Sequence, residues 1–429
     1  MTRFATSRLS AVVLAALPLL ASCSSMFTDQ TIGTRGTPAG GAIFTTYSAI
    51  GTSIGAGIQS GGINDSTQRE AYTYQFAVAQ GHIPGVDWFY PSFAMPGCPA
   101  PLANATTGAR VGGASAAACA TRSSASIAPF ENNTSIPSIR AAQVLDITNL
   151  AFPATDTLKL AQFIVGARNP IDMVVAEHPT FVTLEMGAND VLGAATHGDT
   201  TLLTSTASFS ASMDAIATKL DSTHAKVAVA NIPNVTVIPH FSKASVFFCL
   251  KTGACGFPAA LPYSSPLFTV DASCAPNAAG GIGDNYLVPF TTTGNITAVL
   301  AASRAAKLDC QRDSALVGTA ASPLVAVAPA GATINPLELA AITARVAAFN
   351  TTIAALATAH GYALVDFNAA LTAQAANIPP FPNFATPTQL FGTLFSQDGI
   401  HPTKAGHKLI ANAFITAANT LGGSLSPIP

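Results

Sequence analysis

Charge is scarce in this 429-residue chain: Asp, Glu, Lys and Arg together make up 9% of it, and the formal net charge is −2. So few Lys and Arg residues cannot build the basic face that neutralises phosphates, so nucleic acid is excluded as a partner. Closely spaced cysteine pairs of the zinc-site kind are lacking as well, so no metal is expected. Past the amino-terminal region no segment offers eighteen apolar residues without polar breaks, so the body of the protein is expected to be soluble. Internal repeats are lacking, and no linker cuts the chain in its middle. One domain with large insertions therefore fits better than two.

The amino terminus carries an address. Arg3 and Arg8 make a short positive start, and Leu9 to Ala21 is almost wholly apolar. That run is too short for a mature spanning helix and reads as the core of a signal peptide over residues 1–22. It ends in Leu20-Ala21-Ser22-Cys23, which resembles the lipobox of bacterial lipoproteins. The resemblance implies cleavage before Cys23, a lipid on that cysteine, and anchorage in the cell envelope. Ser24 in the next position favours the outer membrane; the plainer alternative is ordinary secretion. Residues 24–41 are rich in Ser, Thr, Gly and Pro, as a flexible tether would be. Of seven cysteines, six remain after Cys23, an even number that suits an oxidising compartment and up to three disulfides. Nearest-neighbour pairing (98 with 119, 249 with 255, 274 with 310) is the expectation, although about fifteen connectivities are open.

Apolar runs alternate with helical patterns. Strands are expected at 42–50, 181–186, 226–230 and 362–367, and helices from Asp65 to Gln80 and at 157–167, 209–220, 336–360 and 403–421. Asp65, three residues before Gln68, is the expected start of its helix. Strands separated by helices imply parallel pairing and a three-layer α/β/α sandwich with a flavodoxin-like sheet. The domain is expected to span residues 42–421, with a tail at 422–429. Two stretches break the rhythm, 81–134 and 241–333, and both hold cysteines. They read as ordered insertions, because a cross-link offsets the cost of fixing a long loop.

Three strand ends carry chemistry, and ligand sites in such sheets lie at the carboxyl ends of strands. Gly51-Thr52-Ser53-Ile54 follows the first strand, where a Ser on a sharp turn can present its hydroxyl above the sheet; an ordinary turn has the same composition. Gly187-Ala188-Asn189-Asp190 follows the second, where an Asn amide can donate into a cleft or simply cap a helix. Asp398-Gly399-Ile400-His401-Pro402 precedes the last helix, and its constrained loop can set Asp beside His. Neither of the first two blocks is telling alone; it is the set of three that matters.

In that order the blocks resemble the SGNH hydrolases, a family of GDSL-like lipases and esterases, over nearly the whole chain from Ala42 to Leu421. Asn231-Ile232-Pro233-Asn234-Val235 and Asn189-Asp190-Val191-Leu192-Gly193 add to the likeness. The resemblance implies a triad of Ser53, His401 and Asp398, and an oxyanion hole formed by the Ser53 N–H, the Ser138 N–H and the Asn189 amide. Ser138 enters through Asn133-Thr134-Ser135-Ile136-Pro137-Ser138, which is similar to a block ending in Gly in the family; a backbone donor survives that change where φ is negative. A second departure is Thr52, which stands where the family has Asp and leaves the positioning of Ser53 without its usual support. Asp190 is expected to fix its loop, His407 to be a surface or packing residue, and His82, His178, His197, His224, His240 and His360 fit no block. The implied activity is hydrolysis of carboxylic esters, with acyl lipids or acylated carbohydrates as substrates and no metal or organic cofactor needed. Deacetylation of carbohydrate is the alternative within the fold, and a non-catalytic surface lipoprotein the alternative outside it. Val246-Phe247-Phe248, Leu267-Phe268, Pro380-Phe381 and Leu390 to Phe395 read either as walls or lid of an acyl pocket or as the insertion's own small core.

Overall fold

Period-two alternation along four short strands sets the layer plan. The protein is seen here in a computed structural model that describes residues 38–119, 131–149, 155–256, 262–312, 314–317, 325–326 and 333–429. Strands β1 (Tyr47–Ile50), β2 (Phe181–Glu185), β3 (Lys226–Ala230) and β4 (Ala363–Val365) pair in parallel, in that order. Successive side chains point to opposite faces. Ile50, Val182, Leu184 and Val229 enter one apolar cluster, whereas Tyr47, Phe181, Ala228 and Val365 enter another.

Helices cover both faces. The first is packed by α4 (Ala141–Leu145), α5 (Thr155–Val165), α6 (Pro170–Ala176), α7 (Asn189–His197), α8 (Thr206–Asp221) and α9 (Pro336–His360). The second is packed by α3 (Tyr72–Ala79) and α11 (Lys404–Thr420), with Phe367 from α10 (Phe367–Ala373). Short helices α1 (Ser53–Ala56) and α2 (Asp65–Glu70) connect β1 to α3. This is the expected three-layer α/β/α sandwich.

Strand order follows as well. Residues 132–134 lie parallel to β1 on its free side: the Ala49 N–H donates to the Asn132 carbonyl (2.7 Å) and the Thr134 N–H to the Ala49 carbonyl (3.0 Å). The chain thus leaves β1 for this edge and returns to β2 on the opposite side. That reversal is the switch point of a flavodoxin-like sheet, where the carboxyl end of β1 opens into a crevice.

Local chemistry accounts for the element boundaries. Helix α9 begins with Asn335 accepting from the Leu337 and Glu338 N–H groups, while Glu338 accepts from Asn335 (2.9 Å), a reciprocal capping box. Its apolar positions Ile342, Val346, Phe349, Ile353 and Leu356 recur every three or four residues and lie in the core. By length and composition it could cross a membrane, but here one face packs on α8 and the sheet. Among the boundaries that differ from expectation, three have a local cause. The first strand begins only at Tyr47, because Ala42–Phe44 forms a 3₁₀ turn. The helix expected from Asp65 to Gln80 breaks at Ala71, whose ψ of 149° is extended. Its cap is Asn64 in a box with Thr67, which leaves the Asp65 carboxylate to pair with Arg69 and the Tyr90 hydroxyl (each 2.7 Å).

All six body cysteines pair as expected: Cys98 with Cys119, Cys249 with Cys255, Cys274 with Cys310. The 81–134 stretch is pinned by Trp88, fully buried and stacked on Tyr47 at 6.0 Å between ring centroids. The 241–333 stretch has its own four-stranded sheet and a separate core of Phe247, Tyr263, Phe268, Tyr286, Ile296 and Leu308. Of the two readings of its apolar residues, Val246, Phe247 and Phe268 belong to that core, and Phe381 packs onto it through Phe247 and Tyr263. Leu390, Phe391 and Phe395 belong instead to the main core. Residues 424–428 lie along α11, with Leu425 buried and Asn412 and Asn419 holding the backbone of Ile428 and Leu425. The signal peptide, Cys23 and the tether up to residue 37 lie outside the described residues.

Candidate active site

Ser53 stands three residues past β1, as the first residue of α1, and its side chain faces the loop that precedes α11. In that loop, His401 makes both contacts a triad requires. Its Nε2 lies 2.9 Å from Ser53 Oγ and its Nδ1 lies 2.8 Å from Asp398 Oδ2. Nδ1 must then carry the proton it donates to the carboxylate, leaving Nε2 as the acceptor for the serine hydroxyl. The His401 and Asp398 side chains retain 14% and 13% of their exposure, so a substrate can reach the dyad.

Asp398 is held from several directions. Its Oδ1 accepts from the Ile400 and His401 N–H groups (each 2.9 Å) and its Oδ2 from the Gly61 N–H (2.6 Å). Burial alone would raise its pKa, but the positive charge available at His401 and these hydrogen bonds outweigh that and hold it well below the usual carboxylate range. The loop is also tied to the turn after α1, with the Ser60 N–H donating to Ser396 Oγ (2.7 Å) and the Gln397 N–H to Ser60 Oγ (3.2 Å).

His240, which fitted no block, buttresses the triad loop. It is buried, its Nδ1 donates to the Asp398 carbonyl (2.9 Å), and its backbone N–H donates to the Gly399 carbonyl (2.9 Å). Burial lowers its pKa, which keeps the ring neutral. No spacing in the sequence could have linked it to Asp398, 158 residues away. His407 is fully buried rather than at the surface: Nδ1 accepts from the Tyr72 N–H (3.2 Å), and desolvation pushes its pKa down to about 3.

The two blocks on the other side of the crevice are tied together. Asn189 Nδ2 donates to the Ile139 carbonyl (3.0 Å), which leaves its second amide hydrogen for another acceptor. Asp190 fixes its loop as expected, accepting from the Ala141 N–H (3.1 Å). Gly187 turns at a φ of 108°, and a Cβ there would stand 2.5 Å from Ile232 Cδ1, so the bend into Asn189 needs glycine. Ser138 differs from the condition set for it: its φ is 66°, not negative. The residue holds the left-handed conformation that glycine adopts freely, at a cost of about 1–3 kcal/mol for a non-glycine residue. Asn231 donates to Asp366 (2.8 Å) and accepts from the Asn368 N–H (3.0 Å), so its block joins the ends of β3 and β4.

An apolar pocket of about 110 Å³ lies beside the segments that carry Ser53 and His401. Ile54, next to Ser53, and Ile400, next to His401, line it together with Phe395, Leu371, Leu409 and Ile410.

The sequence matches no protein-family model and no curated protein. Among solved structures the chain is similar to LAE5, an alpha/beta hydrolase enzyme from the metagenome of Lake Arreo, Spain, at 12% identity over 87% of this chain and 95% of that one, with a TM-score of 0.37. It is similar to TesA at 13% identity over 88% and 99% (TM-score 0.33), and to an extracellular lipase from Streptomyces rimosus at 13% identity over 87% and 98% (TM-score 0.33).

Proposed function

We propose that this protein is a serine hydrolase of carboxylic esters, with Ser53, His401 and Asp398 as its triad. The observation that carries this is the single imidazole of His401, within hydrogen-bond distance of a serine hydroxyl through Nε2 and of a shielded carboxylate through Nδ1. His401 would take the Ser53 proton as Oγ attacks the ester carbonyl, and Asp398 would stabilise the imidazolium so formed. The tetrahedral oxyanion would be met by the Ser53 N–H, by the N–H of Ser138, whose φ of 66° is the backbone conformation a glycine there would adopt, and by the second hydrogen of the Asn189 amide. His401 would then protonate the departing alcohol, and a water activated by His401 would release the acid from Ser53.

The pocket beside Ile54 and Ile400 favours esters with a hydrocarbon acyl chain over acetylated carbohydrate, because Gln374 is the one polar side chain in an otherwise apolar lining. Three disulfides suit an exported protein, and we propose that Cys23 carries a lipid that holds it at the cell envelope. Radiolabelled palmitate should enter the wild-type protein and not Cys23→Ser; equal labelling would exclude the anchor.

The functional test is hydrolysis of p-nitrophenyl esters from acetate to palmitate by protein lacking the signal, beside Ser53→Ala. Turnover that vanishes in the variant and rises beyond acetate is expected. Turnover that persists in Ser53→Ala would exclude the triad, and turnover confined to acetate would favour the carbohydrate deacetylase.

A further inference from the structure

Thr52 leaves the nucleophile turn without a carboxylate of its own, yet one lies directly against it. Glu185, the last residue of β2, is buried, with Oε2 accepting from the Thr52 backbone N–H (3.0 Å). The Thr52 hydroxyl is shared between Oε1 (3.0 Å) and Oε2 (3.1 Å). The residue immediately before Ser53 is thus fastened through backbone and side chain to the neighbouring strand. Gly51 makes room for this arrangement, and Gly55 makes room for Ser135 beside it. A Cβ on Gly51 would stand 3.0 Å from Glu185 Oε2 and 2.8 Å from Ser135 Oγ, and one on Gly55 would collide with Ser135 Oγ. Ser135 Oγ is buried with no hydrogen-bond partner among the described residues.

Resting on the serine hydrolase reading, we propose that Glu185 is the positioning residue of the nucleophile: a carboxylate moved from the turn to the end of β2 and paired there with Thr52. It does not touch the reacting atoms. It fixes the Thr52 peptide, and through it the direction of Ser53 Oγ toward His401. A carboxylate accepts all of these bonds at once, and bonds to its charged form are about twice as strong as neutral ones. A protonated Glu185 must surrender one acceptor position. Burial pushes its pKa up to about 7, against the lowering effect of the Thr52 bonds, the Gly55 amide and His401. The titratable groups that face it are His401 from the triad loop and Tyr72 from α3; burial, followed by the Glu185 charge, raises Tyr72 well above its usual value, so it stays neutral.

The test uses wild type, Glu185→Gln, Glu185→Ala and the double variant Thr52→Asp with Glu185→Ala. The readout is the rate at which a fluorophosphonate labels Ser53, together with kcat and KM on p-nitrophenyl butyrate between pH 5.5 and 9. Glu185→Ala should slow labelling by about a hundredfold, the cost of a nucleophile misplaced by about an ångström. Glu185→Gln keeps the shape and should slow it by about tenfold, with KM within about twofold. Protonation takes an acceptor position from Glu185 as glutamine does, so the tenfold gap between wild type and Glu185→Gln should close as pH falls below about 7. Returning the carboxylate to the turn in the double variant should restore labelling to within about tenfold of wild type. Folded Glu185→Gln that labels at the wild-type rate with an unchanged acid limb would overturn the inference, as would a double variant no faster than Glu185→Ala. A wild type left unlabelled at Ser53 overturns the hydrolase reading, and this inference with it.

Discussion

Each strand of the central sheet is buried under helices on both faces and contains no cysteine, whereas the 241–333 excursion packs a smaller sheet over a single core and holds two of the three disulfides. The difference follows from surface and volume. Two apolar faces bury enough area to hold the sandwich together, while an excursion of this size gains too little and needs its unfolded chain constrained by cross-links. The two meet where His240, at the start of the excursion, supports the loop of Asp398 and His401, where Phe290 packs edge-on against Phe391 at 4.9 Å, and where Phe241 and Leu287 enter the main core.

The comparison predicts that chemistry belongs to the sandwich alone. Asp398→Asn should leave the fold intact and lower kcat by about ten-thousandfold, because the imidazole then loses the partner that sets its tautomer. Circular dichroism beside steady-state kinetics checks this, and a loss under about tenfold would remove Asp398 from the triad. Removing the cross-link of the excursion is the next largest effect. Cys274→Ala with Cys310→Ala should cost about 2–5 kcal/mol, felt by the excursion first. Limited proteolysis should then cut within 241–333 while Ser53 still labels; simultaneous loss of both would show one cooperative unit.

The smallest effect separates the regions by pH. Burial raises Glu177 and Glu185, both in the sandwich, to about 7. A carboxyl raised on folding binds its proton more tightly in the folded state. Its contribution is full below the ordinary value of about 4.5 and is lost as pH rises through about 7. In the excursion, hydrogen bonds from Ser273 and Ser245 lower Asp271 and Asp284 respectively, so their contribution is complete by about pH 5. Between about pH 5 and 8 these two carboxyls should take stability from the sandwich, opposed up to about pH 6.5 by His240 and His407, whose lowered pKa values add stability as pH rises, while the two excursion carboxyls stay level; Glu185→Gln should remove its own share of the loss. Thermal melts across that range, with proteolysis reporting on the excursion, decide it. A slope unchanged in Glu185→Gln would mean that Glu185 does not titrate there.

Much of the site was legible because its residues sit in short blocks whose order the chain preserves. Ser53 and the Asp398–His401 pair were placed by local turns, and cysteines close in sequence found one another. The strand at Lys226–Ala230 and the helix at Pro336–His360 were legible from period and capping, which act within a few residues. The break at Ala71 and the cap at Asn64 were not, because the same polar residues fit either register. His240 and Glu185 were invisible for a different reason. Each acts on a residue more than a hundred positions away, on a segment that only the tertiary fold sets beside it.

By itself, then, the sequence determined the period of most elements and the three blocks, since these depend on neighbours along the chain, and it left the cysteine pairs as one of about fifteen connectivities. Tertiary structure alone decided that Ser138 holds a left-handed φ, that the excursion's apolar residues cover its own core, and that a carboxylate from β2 underlies the turn before Ser53. Those outcomes depend on which backbones pack within hydrogen-bond distance, and burial there, not local propensity, sets the cost of every unpaired polar group.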